Sequence, residues 1–418
     1  MSDAEYQYPR MQDWAHQVSM MEVSDDVLGF DDRLRGPRPF RFLLPFIEIW
    51  GGATSAHNPE PFGLYSRVPA TRPEVYRDAV LFHSCCPEVR LGIEMHVLIT
   101  GAAGFIGQLV AKTLLNDEEG SYKLTLTDII EAPIPEGVKF PDRAKSIKTD
   151  LLTGSQAVMD KDLDAAFVFH GIMSAGAEAD FELGMAVNFD ATRALLDTLR
   201  ETCPGVRVIF TSSLAVYGGN FIEPVDESQH PTPQSSYGAE KMMCEYLINE
   251  YTRLGFIDGL VLRLPTISVR PGRPTAAASS FLSGMIREPM HGLECVLPLR
   301  DRGFSHWLCS PKTLVQNLLR ALALERNALP AYDRVLNAPG FGVTVQDMMD
   351  SLARVGGRDK LKLLREEDDE ALKAILYSWP TRFDNSKALG LGYKRDESFD
   401  EIVGDFKKEL QVQGESCN

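Results

Sequence analysis

The chain has 418 residues, of which 44% are hydrophobic and 24% charged, and a formal net charge of −16. This composition excludes a disordered or fibrous chain and gives ample length for a large core. The diffuse acidic balance argues against nucleic acid or an anionic membrane as partner.

The seven cysteines are odd in number and form no C-x-x-C pair, which predicts a reducing, cytoplasmic setting with cysteines used as small apolar residues. The eight histidines are scattered, and no metal site is predicted. Residues 1–20 lack the apolar core of a secretory signal. The most apolar early stretch, Phe40 to Trp50, is too short to span a bilayer and is interrupted by Arg41, Pro45 and Glu48. Residues 1–94 hold neither a helical nor a strand period for long. They read either as an arm that packs on the domain or a partner, or as a poorly structured, non-essential extension. The second reading is favoured, because Met95 directly precedes the first strand.

Residues 95–107, Met-His-Val-Leu-Ile-Thr-Gly-Ala-Ala-Gly-Phe-Ile-Gly, organise the remainder of the chain. Val97, Leu98 and Ile99 make an apolar run short enough for a strand buried on both faces. Gly101, Gly104 and Gly107 come next, with Phe105 and Ile106 between them, and Gln108 to Leu115 reads as a helix. A strand, a glycine turn and a helix form a dinucleotide-binding unit, in which the glycines admit the pyrophosphate to the helix N-terminus. A second strand, Lys123 to Thr127, ends at Asp128. That is the place, about 20 residues on, where an acidic side chain meets the adenosine ribose.

The alternation continues down the chain. Ser146 to Thr149 is a short third strand ending at Asp150-Leu151, which are assigned to the adenine edge. Ala166 to His170 is the fourth strand, and Gly171 after it is assigned to the cofactor side. His170 reads as a packed or turn histidine. Ala177 to Thr202 reads as one long helix with Asn188 in its middle, where an asparagine is either exposed or functional. Val206 to Phe210 is the fifth strand, followed by Thr211-Ser212-Ser213 at its C-terminal end, where ligands of open α/β sheets bind. The next helix carries Tyr237 and Lys241, four residues apart and so on one face. Val261 to Leu264 is the sixth strand, and Thr266 just beyond it is assigned to the cofactor side. Helices are predicted over Ala276 to Ile286, Pro311 to Leu324, Thr344 to Leu352, Glu370 to Leu376 and Phe399 to Leu410, with a strand at Arg334 to Leu336. The predicted fold class is α/β: a doubly wound parallel sheet over 95–265, then a smaller mixed α/β part over 266–418 that shapes a substrate pocket.

A tyrosine near pKa 10 is a poor base at neutral pH, and an ammonium on the same face favours its phenolate. Tyr237 then takes a proton from a substrate hydroxyl as hydride leaves for nicotinamide, with Lys241 beside it and Ser213 holding the reacting oxygen.

Taken together, Thr100 to Gly107, Asp128, Ser213 with Val216-Tyr217-Gly218, and Tyr237 with Lys241 resemble the extended short-chain dehydrogenase/reductases, which include the NAD-dependent epimerases and dehydratases. The resemblance covers essentially all of 95–418. It implies a Rossmann domain that binds NAD, a Ser213-Tyr237-Lys241 catalytic set, and Asn188 as the helix asparagine that organises the proton path. It also implies NAD over NADP, because a 2′-phosphate would meet the Asp128 carboxylate.

Within the family the chain resembles members that oxidise the C2 hydroxyl of a four-carbon sugar acid to a 2-oxo acid. The likeness is carried by Ala177-Glu178-Ala179-Asp180-Phe181, Thr232 to Gly238, Leu262-Arg263-Leu264-Pro265-Thr266, Ala276 to Phe281 and Ser378-Trp379-Pro380. Sugar-nucleotide enzymes usually carry an asparagine and Tyr-Gly-Pro after the sixth strand, whereas this chain reads Pro265-Thr266-Ile267-Ser268-Val269-Arg270-Pro271-Gly272. A guanidinium binds a carboxylate through paired donors, which makes Arg270 the first candidate for the substrate acid and Arg273 the second. For either, a surface salt bridge is the competing reading. Ser174 and Ser280 are candidates for the sugar-acid hydroxyls. The alternatives are a sugar-nucleotide epimerase or dehydratase, or a biosynthetic carbonyl reductase. A non-enzymatic dinucleotide sensor is disfavoured by the presence of Tyr237. The partner is a small-molecule substrate, and a homodimer is possible through the two long helices beside the site.

Overall fold

The computed structural model describes residues 94–219, 221–272 and 277–412. The readings made for residues 1–93, and for Arg273, lie outside the described residues.

Among the described residues twelve strands occur in chain order: β1 (Met95–Thr100), β2 (Tyr122–Asp128), β3 (Ala144–Lys148), β4 (Leu163–Val168), β5 (Arg207–Ser213), β6 (Asp258–Leu264), β7 (Thr266–Ile267), β8 (Cys295–Leu297), β9 (Ser305–Cys309), β10 (Val335–Asn337), β11 (Phe341–Thr344) and β12 (Leu364–Glu366). Seven of them form one sheet in the order β10-β6-β5-β4-β1-β2-β3, and every neighbouring pair is parallel. The chain winds outward one way from β1 to β3 and the other way from β4 to β6. Ligands bind in the crevice beyond the C-terminal strand ends at such a reversal.

The apolar run of β1 explains its central position. Val97 and Ile99 enter one core with Val110, Ala111 and Leu114 of the helix Phe105–Leu114 and with Leu314 and Leu318 of the helix Pro311–Leu322. Leu98 faces the other way, into a core with Leu195, Leu196 and Leu199 of the helix Ala191–Thr202 and Cys244 and Ile248 of the helix Ser236–Arg253. A strand covered on both faces has no polar side to alternate with.

The long helix predicted from Ala177 to Thr202 is in fact broken into Ser174–Ala179, Phe181–Gly184, a π-helical Met185–Asp190 and Ala191–Thr202. Asp180 is extended, with φ −137 and ψ 93, and its carboxylate accepts the Leu183 N–H at 3.0 Å. That side chain competes with the helical ladder and starts a new helix. The π turn then inserts extra residues in the pitch, a feature frequent at functional sites. Hydrophobic spacing reveals neither event.

Past β6 the chain enters a second, three-stranded sheet, β11-β9-β7. Leu282, Met285, Ile286, Val343, Met348, Phe399 and Ile402 close a separate core there. The helix predicted from Ala276 begins later, at Phe281, whereas those predicted from Pro311, Thr344, Glu370 and Phe399 begin within one residue of those places. Pro311–Leu322 is capped by Ser310, whose hydroxyl accepts the Thr313 N–H, and Val345–Ser351 by a Thr344–Asp347 capping box.

One buried ionic group ties the two halves together. Asp258 accepts from Arg207 Nε at 2.7 Å and from Arg334 at 2.6 Å. Arg207 also donates to the carbonyls of Ala321 and Leu324, both at 2.7 Å, at the end of the helix Pro311–Leu322.

Candidate active site

The glycine turn leaves β1 at Gly101, which has φ +61. A Cβ there would lie 2.7 Å from the His170 amide nitrogen, and one at Gly107 would lie 2.5 Å from the Gly101 carbonyl oxygen and 2.7 Å from Ala102 Cα. Turn, helix and β4 exit therefore approach at backbone distance, which only glycine allows. Gly104 occupies the N-cap and brings no side chain to that end of the helix. The first helical N–H groups, Phe105 and Ile106 among them, have no carbonyl a turn earlier in their own helix. The arrangement fits a pyrophosphate seated on the helix N-terminus.

Asp128 ends β2 beside this turn. Its Oδ2 accepts the Ala103 N–H at 3.0 Å and its Oδ1 the Ile129 N–H at 2.7 Å. The carboxylate is thus fixed against the glycine turn, where an adenosine ribose would lie. An Asp128→Ser variant is expected to raise the KM for NAD about ten- to a hundredfold and to narrow the gap between NAD and NADP. Steady-state rates with both dinucleotides measure this. Asp150 and Leu151 lie past β3, where the Asp150 carboxylate accepts the Leu152 N–H at 2.9 Å as a helix cap and Leu151 is buried.

The catalytic candidates converge beyond the ends of β4 and β5. Ser235 caps the helix Ser236–Arg253 by accepting the Gly238 N–H at 3.2 Å. A Cβ on Gly238 would overlap the Ala215 carbonyl, so this glycine lets the helix start against the loop beyond β5. Tyr237 and Ser213 are thereby brought near enough for the Ser213 hydroxyl to act on the phenol. Burial pushes the Tyr237 phenol up to about 12, with the Ser213 bond working against burial and Glu240 adding to it. The sequence reading assigned Lys241 the task of acidifying this phenol. In the structure burial dominates instead, and the Lys241 ammonium donates to the Thr211 carbonyl at 3.1 Å. That ammonium stands 4.6 Å from the Phe210 ring centre and 5.6 Å from that of Tyr237. Burial lowers the pKa of Lys241, and the nearby Cys244, Glu240 and Glu245 oppose the shift.

Asn188 lies in the π turn and is 1% exposed. Its Oδ1 accepts the Ile172 N–H at 2.7 Å, and its Nδ2 donates to the Ile172 carbonyl at 3.1 Å and to Glu240 Oε2 at 2.6 Å. A Cβ on Gly171 would lie 2.7 Å from Asn188 Oδ1 and 3.7 Å from Lys241 Nζ, which brings this glycine, the asparagine and the lysine to one point. His170 bridges Thr100 Oγ1 at 2.9 Å and Thr192 Oγ1 at 3.2 Å. Burial, aided by Lys241, lowers its pKa to about 3, so the ring is neutral and packed.

A second buried network supports the same strand ends. Arg263 of β6 donates to both carboxylate oxygens of Glu245 and to the Tyr217 hydroxyl, while Ser212 donates to Glu245. Tyr217 in turn donates to Asn337 Oδ1 at 3.0 Å. The sequence reading missed Glu240 and Glu245. The signal available was an arginine inside the apolar run of β6, which demands a buried acid nearby.

The remaining candidates, Thr266 for the cofactor and the others for the substrate, are more dispersed. Ser174 opens the helix Ser174–Ala179, and Thr266 in β7 contacts His306 at 2.7 Å, a histidine whose pKa burial lowers to about 4. Ser280 precedes the helix Phe281–Met290. Arg270 is held through its backbone: its N–H donates to Ser283 Oγ at 3.1 Å and its carbonyl accepts from Arg287 at 2.8 Å. Burial and the Arg287 charge lower the pKa of its guanidinium. Among the described residues no carboxylate pairs with it, and it makes no hydrogen bond to Ser213, Tyr237 or Lys241. His96, Asp160 and Asp162 come together at the far end of the sheet, with the Lys123 ammonium already 3.3 Å from Asp162 and 3.7 Å from Asp160.

The fold and the glycine turn define a dinucleotide-binding α/β enzyme, and the chain belongs to the NAD dependent epimerase/dehydratase family, whose model matches residues 97–304. It is an NAD-dependent oxidoreductase of the extended short-chain dehydrogenase/reductase type. The D-erythronate dehydrogenase of Haemophilus influenzae is 43% identical over 313 residues, covering 75% of this chain and 98% of the relative. That of Cupriavidus necator is 42% identical over 321 residues, covering 74% and 97%. Among solved structures, a nucleoside-diphosphate-sugar epimerase from Agrobacterium tumefaciens is 33% identical with a TM-score of 0.71, over 80% of this chain and all of that one (100%). L-Threonine 3-dehydrogenase from Trypanosoma brucei, at 23% identity and a TM-score of 0.66 over 76% of this chain and 97% of that one, shares the fold. Among the described residues no helix is long and apolar enough to cross a membrane.

Proposed function

We propose that the enzyme oxidises the C2 hydroxyl of a small sugar acid of the D-erythronate type to the 2-oxo acid. The similarity to two D-erythronate dehydrogenases over nearly their whole length supports the substrate class. The observation that carries the reading is Arg270, a largely buried guanidinium with no carboxylate partner among the described residues, just past β7. A buried cation without an anion is costly, and a substrate carboxylate relieves that cost.

NAD, when bound, accepts the hydride and becomes NADH. Ser213 holds the substrate oxygen by a hydrogen bond. Tyr237, as phenolate, takes the hydroxyl proton while the C2–H bond breaks and its electron pair leaves as hydride, so that C2=O forms. Lys241 keeps a positive charge beside the phenolate and would hydrogen-bond the nicotinamide ribose. Asn188 fixes the β4 exit at Ile172 and Gly171. The glycine turn and Asp128 would hold the pyrophosphate and ribose.

Arg270→Met is expected to raise the KM for the acid substrate by about 30-fold or more, with a smaller change in kcat, because a charged hydrogen-bonded pair is lost. The KM for NAD should stay constant in the same titrations. The reading itself is tested with a panel of aldonic acids and NAD, followed by the absorbance of reduced nicotinamide. Net NADH with D-erythronate supports it, and no NADH with any acid overturns it. The likeness to the Agrobacterium epimerase favours sugar-nucleotide epimerisation as the second reading. Such an enzyme regenerates its NAD in each turnover and gives no net NADH.

A further inference from the structure

We propose that Glu240 is a positioning residue of this site, holding the Asn188 carboxamide and placing a fixed negative charge beside Tyr237 and Lys241. The inference rests on the reading of Tyr237 as the base.

Glu240 is fully buried, at 0% exposure. One oxygen, Oε2, accepts from Asn188 Nδ2 at 2.6 Å. The other, Oε1, is buried and has no hydrogen-bond partner among the described residues. It packs on Gly184, where a Cβ would overlap it. A half-satisfied buried carboxylate is unfavourable for stability, and an apolar residue of that size would suit the position better. Its placement is explained instead by the site. Glu240 precedes Lys241 in sequence and lies one helical turn from Tyr237, and its bond orients the amide that grips Ile172.

The charged and titratable groups around it are few. Its own helix supplies Tyr237, Lys241 and Cys244. The helix Ser174–Ala179 supplies Glu178, the π turn the neutral Asn188, and Phe181–Gly184 the Gly184 backbone. Burial raises the Glu240 pKa, and the Asn188 bond and the Lys241 charge oppose that rise; in its ionised form Glu240 sets a negative charge against the Tyr237 phenolate and a hydrogen bond on Asn188. The two effects separate by substitution. Glu240→Gln keeps an acceptor for Asn188 and removes the charge. Glu240→Asp keeps the charge and withdraws it from Asn188.

The experiment measures the pH profile of kcat for oxidation of D-erythronate in the full chain and in both variants, with Tyr237→Phe in parallel. Oxidation needs the phenolate, so its rate rises with pH. Removing a negative charge beside the phenol stabilises the phenolate and moves that rise to lower pH. Glu240→Gln is expected to shift it down by about two units, the size of a charge deleted roughly 6 Å away at an effective dielectric near 20. Glu240→Asp is expected to leave the midpoint in place and lower kcat by about 10- to 100-fold through misplacement of Asn188. An unmoved or upward-shifted midpoint in Glu240→Gln overturns the proposal. If that variant does not fold, a shifted midpoint or an unchanged kcat in Glu240→Asp overturns it. Full activity in Tyr237→Phe would instead remove the base reading on which the inference rests.

Discussion

Tyr237→Phe is expected to abolish most of the activity, lowering kcat about 10²- to 10⁴-fold, the range that a positioned acid–base group contributes. The phenyl ring keeps its place beside Lys241, so NAD affinity should be retained. What is lost is the one oxygen that receives the substrate proton. Burial holds the phenol at about 12 in the free chain, so it is neutral near pH 7. Oxidation should therefore accelerate toward alkaline pH as the phenol loses its proton. Reduction of the 2-oxo acid, which needs the protonated phenol, should slow over the same range. Rate profiles in the two directions that rise together would contradict this sign.

Asp258→Asn is expected to destabilise the fold by roughly 3–5 kcal/mol, the usual cost of removing one partner of a buried ion pair. Among the described residues Asp258 is the only carboxylate paired with Arg207 and Arg334. All three are largely buried, at 7%, 6% and 2% exposure. The asparagine would leave two guanidiniums without a counter-charge and turn an amide donor toward them. Arg207 also terminates the helix Pro311–Leu322, so that helix should loosen with it. Urea denaturation followed by circular dichroism gives the value. A change below about 1 kcal/mol would place this group with exposed surface pairs instead.

The parts legible in the sequence are those fixed by local rules. The β1 run, its glycine turn and Asp128 could be read because backbone approach admits only glycine and a doubly covered strand admits only apolar residues. Tyr237 and Lys241 could be read because a four-residue spacing puts both on one helical face. The break at Asp180 and the π turn at Asn188 could not, because one competing side chain and one change of pitch leave hydrophobic spacing nearly intact. Nor could burial of Tyr237 outweigh Lys241 on paper, since the sequence shows a neighbour but not the desolvation around it. Glu240 and Glu245 read as exposed helix charges until Asn188 and Arg263, distant in sequence, are brought to them. The strands β7, β9 and β11 are too short to carry a period, and their pairing is set by contacts across the second core.

The central claim is that hydride leaves C2 of the sugar acid for the bound nicotinamide as Tyr237 takes the hydroxyl proton. It is tested most directly with D-erythronate deuterated at C2, by mass spectrometry of the reduced cofactor. The account predicts one deuterium in the reduced nicotinamide for each 2-oxo acid formed. Unlabelled reduced cofactor, or deuterium retained in the product, would contradict it.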